Sequence, residues 1–258
     1  MTRLRDAILR ARADGRAFLA AYWPAGYPSP ATDAAFLRAV ASADLVEVGV
    51  PFSDPSADGP VLQAASRQAL DAGATVQHAL DRVRDLRAEH AELPLALMTY
   101  ANLVHHSGWE GFARRAAEAG ADALILPDVP MEESGSIRAA LADNGLAWVP
   151  FASPVSGVSR VAAAASQATG FLYLTANVGL TGQAGLPATA EATVRSTRAA
   201  CGDVPLLAGF GVRGADDVRR LHRAGADGAI VGSALVERAP EGPEAVGRLV
   251  RALHGGGA

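Results

Sequence analysis

The chain has 258 residues, half of them hydrophobic, and a formal charge of −4. That length and apolar fraction support a large buried core, and the charge gives no basic footprint for nucleic acid. One cysteine, Cys201, excludes an intramolecular disulfide and suits a reducing cytoplasm, the location expected here. The charged N-terminus lacks the apolar stretch of a signal peptide, and no apolar run approaches a membrane span.

The basic residues are arginine throughout, with no lysine. A Schiff base needs a lysine amine, so imine chemistry on this chain is excluded. The six histidines are scattered, and the adjacent His105 and His106 project to different sides of any regular element. No metal site is expected.

In chain order, an amphipathic helix is predicted over residues 2–14, with Leu4, Ile8 and Leu9 on one face. Eight apolar, strand-length runs follow: FLAAYWPA (18–25), DLVEVGVP (44–51), PLALMTY (94–100), ALILPDV (123–129), LAWVPFAS (146–153), GFLYLTA (170–176), PLLAGFGV (205–212) and DGAIVGSALV (227–236). Helix-period segments separate them, among them residues 76–90, 108–119, 133–143 and 241–254. Continuous apolar strands alternating with amphipathic helices predict a parallel sheet covered by helices. Eight such units predict one α/β domain over residues 1–258, a (β/α)8 TIM barrel with an extra N-terminal helix. An open doubly wound sheet is the alternative. AEAGAD (117–122), ADNGLA (142–147) and RAGADG (223–228) each place a glycine just after a helix, as a C-cap before the next strand. Function is expected at the opposite face, after the strands.

In the second run, side chains alternate sides. Val46, Val48 and Val50 form an apolar face for the outer helices, which leaves Leu45, Glu47 and Gly49 facing the lumen. A carboxylate there is costly unless paired or protonated, and desolvation raises its pKa. Glu47 is either a buried glutamate satisfied by a hydroxyl or arginine, or a general acid/base. The following segment, PFSDPSADGP (51–60), is a loop dense in turn formers. Its Asp58 is either an N-cap for a helix starting near Pro60 or a second catalytic carboxylate. Glycines follow the sixth, seventh and eighth runs, in GLTGQAG (179–185), GFG (209–211) and Gly232-Ser233. Together they match the recurrent barrel phosphate site, where backbone N–H groups face the anion. Arg213 is the one arginine in these loops.

VEVGVPFSDPSADGP (46–60) resembles the signature of the tryptophan synthase α-subunit family, and TYANLV (99–104), LPDVPMEES (126–134), GLTG (179–182), GFGV (209–212) and AIVGSALV (229–236) continue the likeness in order. The resemblance implies retro-aldol cleavage of indole-3-glycerol phosphate to indole and glyceraldehyde 3-phosphate in tryptophan biosynthesis. It implies Glu47 and Asp58 as the catalytic pair. Tyr22, Tyr173 and Phe210 would pack the indole, and Gly182, Gly211, Gly232 and Ser233 would hold the phosphate. It also implies a β-subunit partner in an α2β2 assembly, faced or supported by Asp54, Pro55, Tyr100, Asn102 and Pro130. Pyridoxal phosphate would belong to that partner, and none to this chain. The sequence departs from the family pattern at Gly26-Tyr27-Pro28, at Ser66, and at Asn177-Val178 before a short GQAGLP segment. These departures bear on loop closure and partner coupling. A stand-alone or specialised-pathway lyase is one alternative; a silent subunit that activates a β-type partner is another.

Overall fold

The computed structural model describes residues 3–175, 185–209 and 211–255. Its strands are β1 (Phe18–Pro24), β2 (Leu45–Gly49), β3 (Leu95–Met98), β4 (Ala123–Ile125), β5 (Ala147–Val149), β6 (Phe151–Ala152), β7 (Leu172–Thr175), β8 (Leu206–Gly209) and β9 (Gly228–Val231). Every pairing is parallel, in the order β5-β4-β3-β2-β1-β9-β8-β7-β6. The two ends of that order, β5 and β6, are halves of one predicted run. Pro150, which has no N–H to donate, divides them. β5 pairs with β4 and β6 with β7. Between the halves, Thr169 N and Gly170 N donate to Trp148 O at 3.2 Å, and Tyr173 N donates to Pro150 O at 2.9 Å. The sheet therefore closes through a single broken strand, and the open-sheet alternative fails. No helix among the described residues is long and apolar enough to cross a membrane.

The predicted C-cap glycines hold: Gly120, Gly145 and Gly225 all take positive φ. The N-terminal helix, Arg3–Ala13, buries Leu4, Ala7, Ile8 and Ala11, whereas Leu9 is exposed. The buried positions follow the i, i+3, i+4, i+7 pattern, so the two alanines complete the stripe that Leu9 was expected to share. A Cβ on Gly170 would lie 3.2 Å from Leu4 and 3.3 Å from Ala147. The helix thus plugs the N-terminal end of the barrel.

One clamp recurs at that end, just before β2, β4, β7 and β9. Asp44, Asp122 and Asp227 accept from the backbone N–H of Leu19, Leu95 and Leu206 on the neighbouring strand at 2.9, 2.9 and 2.7 Å. Thr169 does the same for Trp148 at 2.8 Å. The three carboxylates also anchor the plug, through Arg16, Arg3 and Arg12 at 2.8, 3.0 and 2.8 Å. Two outer helices, Val76–Glu89 and Ala190–Cys201, supply matching arginines. Arg87 reaches Asp122 at 2.6 Å and the carbonyls of Gly120 and Leu93; Arg198 reaches Asp227 at 2.6 Å and those of Gly225 and Val204. A Cβ on Gly120 would sit 2.7 Å from the Arg87 side chain, so the capping glycine is also required by the clamp.

Asp122→Ala leaves the Arg87 guanidinium half-buried without its anion and the Leu95 N–H unsatisfied. A loss of about 3 kcal/mol is expected, read as a lower urea midpoint at unchanged slope. An unchanged midpoint would show that the clamp is decorative.

Candidate active site

The barrel register sets the site. Tyr22 on β1 pairs with Glu47 on β2, Glu47 with Ala96, Ala96 with Ala123 and Ala123 with Ala147. Paired residues of parallel strands share a face, so this row lies inside the barrel. Three of its five side chains are methyl groups, which leaves lumen volume beside Glu47. One step toward the C-terminal end, a Cβ on Gly49 would sit 2.2 Å from the Tyr22 hydroxyl. Glycine is thus required at 49 by the tyrosine, and Leu45, Glu47 and Gly49 face inward as expected.

Glu47 is fully buried, and neither carboxyl oxygen has a hydrogen-bond partner among the described residues. No hydroxyl or arginine among the described residues satisfies it. Burial alone lifts its pKa from 4.5 to about 8. An orphaned buried carboxyl is rare in native proteins and marks a functional candidate when it adjoins a cavity.

Asp58 lies at the end of the loop after β2. The helix Pro60–Asp71 is capped by Gly59 without a side-chain bond, so Asp58 is not its N-cap. Instead, the Tyr100 hydroxyl donates to Asp58 Oδ2 at 3.0 Å and accepts from Ala57 N at 3.2 Å. Gln63 Nε2 donates to the Asp58 carbonyl at 2.8 Å, which fixes the loop from the helix side. Burial raises the Asp58 pKa to about 6, with the Tyr100 hydrogen bond pulling the other way. Burial raises both carboxyl groups, Glu47 to about 8 and Asp58 to about 6, and only Asp58 has a hydrogen bond from Tyr100 opposing the rise.

A cavity of about 420 Å³ opens above them, lined by Tyr22, Asp58, Met98, Phe151, Tyr173, Gly211, Gly232 and Ser233 among others. That volume suits a small ligand. Glu47 itself does not line it; Tyr22 and Tyr173, whose phenols its charge reaches, do. Two of the glycines after the strands have a further job. A Cβ on Gly209 would lie 3.0 Å from the Tyr173 ring, and one on Gly232 3.2 Å from Tyr22. Gly211 takes φ +68°, which other residues avoid.

The structure brings together Glu47, Asp58, Tyr22, Tyr173, Gly211, Gly232 and Ser233. Phe210, Gly182 and the Asn177-Val178 departure lie outside the described residues. Asp54 and Pro130 are exposed in the loops after β2 and β4, and Asn102 is exposed in the helix Ala101–Ser107 that follows β3, on the same face of the barrel; Pro55 and Tyr100 are buried. Sequence reasoning placed Tyr100 with the partner-facing loops and missed its bond to Asp58. It also missed Phe151, which stacks on Tyr173 with centroids 4.7 Å apart. Pro150 resets the strand phase just before Phe151, so alternation could not assign its side.

Protonation of buried Glu47 has a consequence for stability. Its folded pKa lies above the unfolded value, so the native state holds more protons, and its contribution to stability falls as pH rises from 4.5 to about 8. Glu47→Gln removes that penalty. The variant should be more stable than the parent by a margin that grows across this window, as measured by urea midpoints at a series of pH values. A margin independent of pH would contradict the buried, unpartnered carboxyl.

The match with known proteins extends along the chain. The family model for the tryptophan synthase alpha chain matches residues 8–253. An alpha chain from Synechococcus elongatus is 39% identical over 98% of this chain and 96% of its own. One from Rhizorhabdus wittichii is 42% identical over 92% of this chain and 88% of its own. Among solved structures, a chain of Mycobacterium tuberculosis tryptophan synthase superposes with a TM-score of 0.91 at 34% identity, covering 99% of this chain and 98% of that one. The Legionella pneumophila alpha chain gives 0.88 at 29% identity, covering 99% and 97%. The barrel and these matches lead to one assignment: the chain belongs to the tryptophan synthase alpha chain family, lyases that cleave indole-3-glycerol phosphate in tryptophan biosynthesis.

Proposed function

We propose that Glu47 and Asp58 perform the family's retro-aldol cleavage as an acid and an anion held in opposite protonation states. The observation that carries this reading is the orphaned Glu47 carboxyl, with a pKa of about 8 beside an Asp58 of about 6. Between those values, Glu47 is protonated and Asp58 ionised. Separated pKa values in one site are how such roles are assigned.

The protons balance as follows. Glu47 gives its proton to C3 of the indole ring, and positive charge develops on the ring nitrogen. Asp58 accepts a hydrogen bond from that N–H and stabilises the cation. Glu47, now a carboxylate, takes the proton from the side-chain hydroxyl. The carbon–carbon bond breaks, its electrons restore the aromatic ring, and the aldehyde of glyceraldehyde 3-phosphate forms. Glu47 ends protonated, ready for another cycle. To act, it must rotate from beside Tyr22 and Tyr173 to the cavity floor. In this reading the two tyrosines and Phe210 flank the indole, and Gly182, Gly211, Gly232 and Ser233 hold the phosphate. No imine or metal is needed, in keeping with a chain without lysine.

The family implies a β-subunit partner. We place it on the face that carries Asp54, Asn102 and Pro130, with Pro55 and Tyr100 supporting those segments from beneath, in an α2β2 assembly in the cytoplasm. Pyridoxal phosphate belongs to that partner, since an imine to the cofactor needs a lysine.

The expected pH profile of kcat/KM is a bell, with limbs near 6 and 8 set by the two carboxyls of the free enzyme. Asp58→Asn should remove the acidic limb and slow cleavage by at least about 10²-fold. A flat profile, or a normal rate in that variant, would overturn the assignment. Adding a β subunit should greatly accelerate indole release. Turnover on the order of 1–10 s⁻¹, a typical enzyme rate, by the chain alone would instead favour a stand-alone lyase.

A further inference from the structure

A phosphate ester carries close to two negative charges at neutral pH, and Asp58 adds a third to the same cavity. Backbone N–H groups at glycine-rich strand ends offer only partial charges in return. Among the described residues, two cations line the cavity, Arg160 and Arg213. They are held very differently. Arg160 makes two bonds to separate oxygens of Glu132, at 2.6 and 3.2 Å. Arg213 uses a single nitrogen: its Nη2 lies 3.0 Å from both oxygens of Glu237, the last residue of the short helix Ser233–Glu237.

Arg213 also occupies the right place. It follows Gly211 and Val212 directly and lines the cavity with Gly232, Ser233 and Ala234. With Ala234 it lines a smaller outer cavity as well, beside Glu237, Arg238 and Glu241. Arg213 therefore stands at the wall between the two spaces. Its backbone is fixed, since Arg213 N and Gly214 N donate to Asp217 Oδ2 at 2.9 and 3.2 Å. The side chain is what can move, and an exposed ion pair such as Arg213–Glu237 is weakly held.

We propose that Arg213 is the cationic ligand of the substrate's phosphate, turning from Glu237 to the ester when it binds. This rests on the reading of the cavity given above. Glu237 parks the guanidinium while the site is empty and competes with the ester for it. A guanidinium offers a phosphate two parallel N–H donors, a geometry that the present single-nitrogen contact does not use.

The test is substrate kinetics together with binding of glycerol 3-phosphate, which carries the phosphate but no indole. Arg213→Ala should raise KM for indole-3-glycerol phosphate and weaken glycerol 3-phosphate about tenfold, with affinity for free indole unmoved. Arg213→Lys should restore part of the loss. Glu237→Gln should tighten both phosphorylated ligands two- to threefold, on the order expected for losing a weak competitor. An arginine that merely supported the loop would not give opposite effects in the two variants, nor spare indole. If the parent cleaves its substrate and Arg213→Ala binds glycerol 3-phosphate as the parent does, the proposal is overturned and the cleavage reading stands. If glycerol 3-phosphate binds in an Arg213-dependent way but no cleavage occurs, the proposal stands and the substrate reading falls.

Discussion

The site is organised around a carboxyl group placed in the barrel lumen with no hydrogen-bond partner among the described residues. Glu47 has no hydrogen-bond donor among the described residues, and burial keeps it protonated to well above the ordinary range of a glutamic acid. That arrangement costs stability at neutral pH, and the rest of the fold must offset it. The clamps beneath β2, β4, β7 and β9 and the helix plugging the lumen tie the N-terminal end together through arginine–aspartate pairs and strand-to-strand hydrogen bonds. They lie at the opposite end from the cavity, so the rigid part of the molecule and the costly part are separate. The arginine–aspartate clamp beneath β3 and β4 has its counterpart beneath β8 and β9, from Arg87 and Asp122 to Arg198 and Asp227.

The second carboxyl shows how small a difference separates two roles. Asp58 is nearly as buried as Glu47; burial raises its pKa to about 6, and the hydrogen bond from the Tyr100 hydroxyl opposes that rise. Tyr100 reaches it from beyond the end of β3, with its ring stacked on Phe52 of the same loop as Asp58, centroids 5.1 Å apart. A contact between the segments after β2 and β3 therefore bears on the protonation of Asp58. Those segments also present Asp54 and Asn102 on the outer face, so a partner bound there would press on the elements that hold Asp58.

Much of this could be read from residue order. The alternation in LVEVGV put Glu47 inside the barrel, the glycines after the helices marked the structural face, and the run of glycines after late strands pointed to the cavity. What could not be read depends on partners distant in sequence. That Asp58 is bonded to Tyr100, 42 residues away, could not be read from its own loop. Leu9 matched the apolar pattern of its helix, but alanines at 7 and 11 took the buried stripe. Pro150 broke one strand in two, and with it the phase that would have put Phe151 beside Tyr173. From residue order Gly49 reads only as facing the lumen, and Gly209 and Gly232 as parts of phosphate loops; that each lies against one of the two tyrosines depends on partners distant in sequence.

The central claim is that Glu47 is an acid at neutral pH, held so by burial without a partner. The carboxyl carbon of Glu47 can be followed directly by NMR titration of glutamate-labelled protein, with the signal assigned by its absence in Glu47→Gln. A midpoint near 8 is expected, with the group protonated at pH 7. A midpoint near 4.5, the value of an ordinary glutamate, would leave the site without its proton donor and contradict the account.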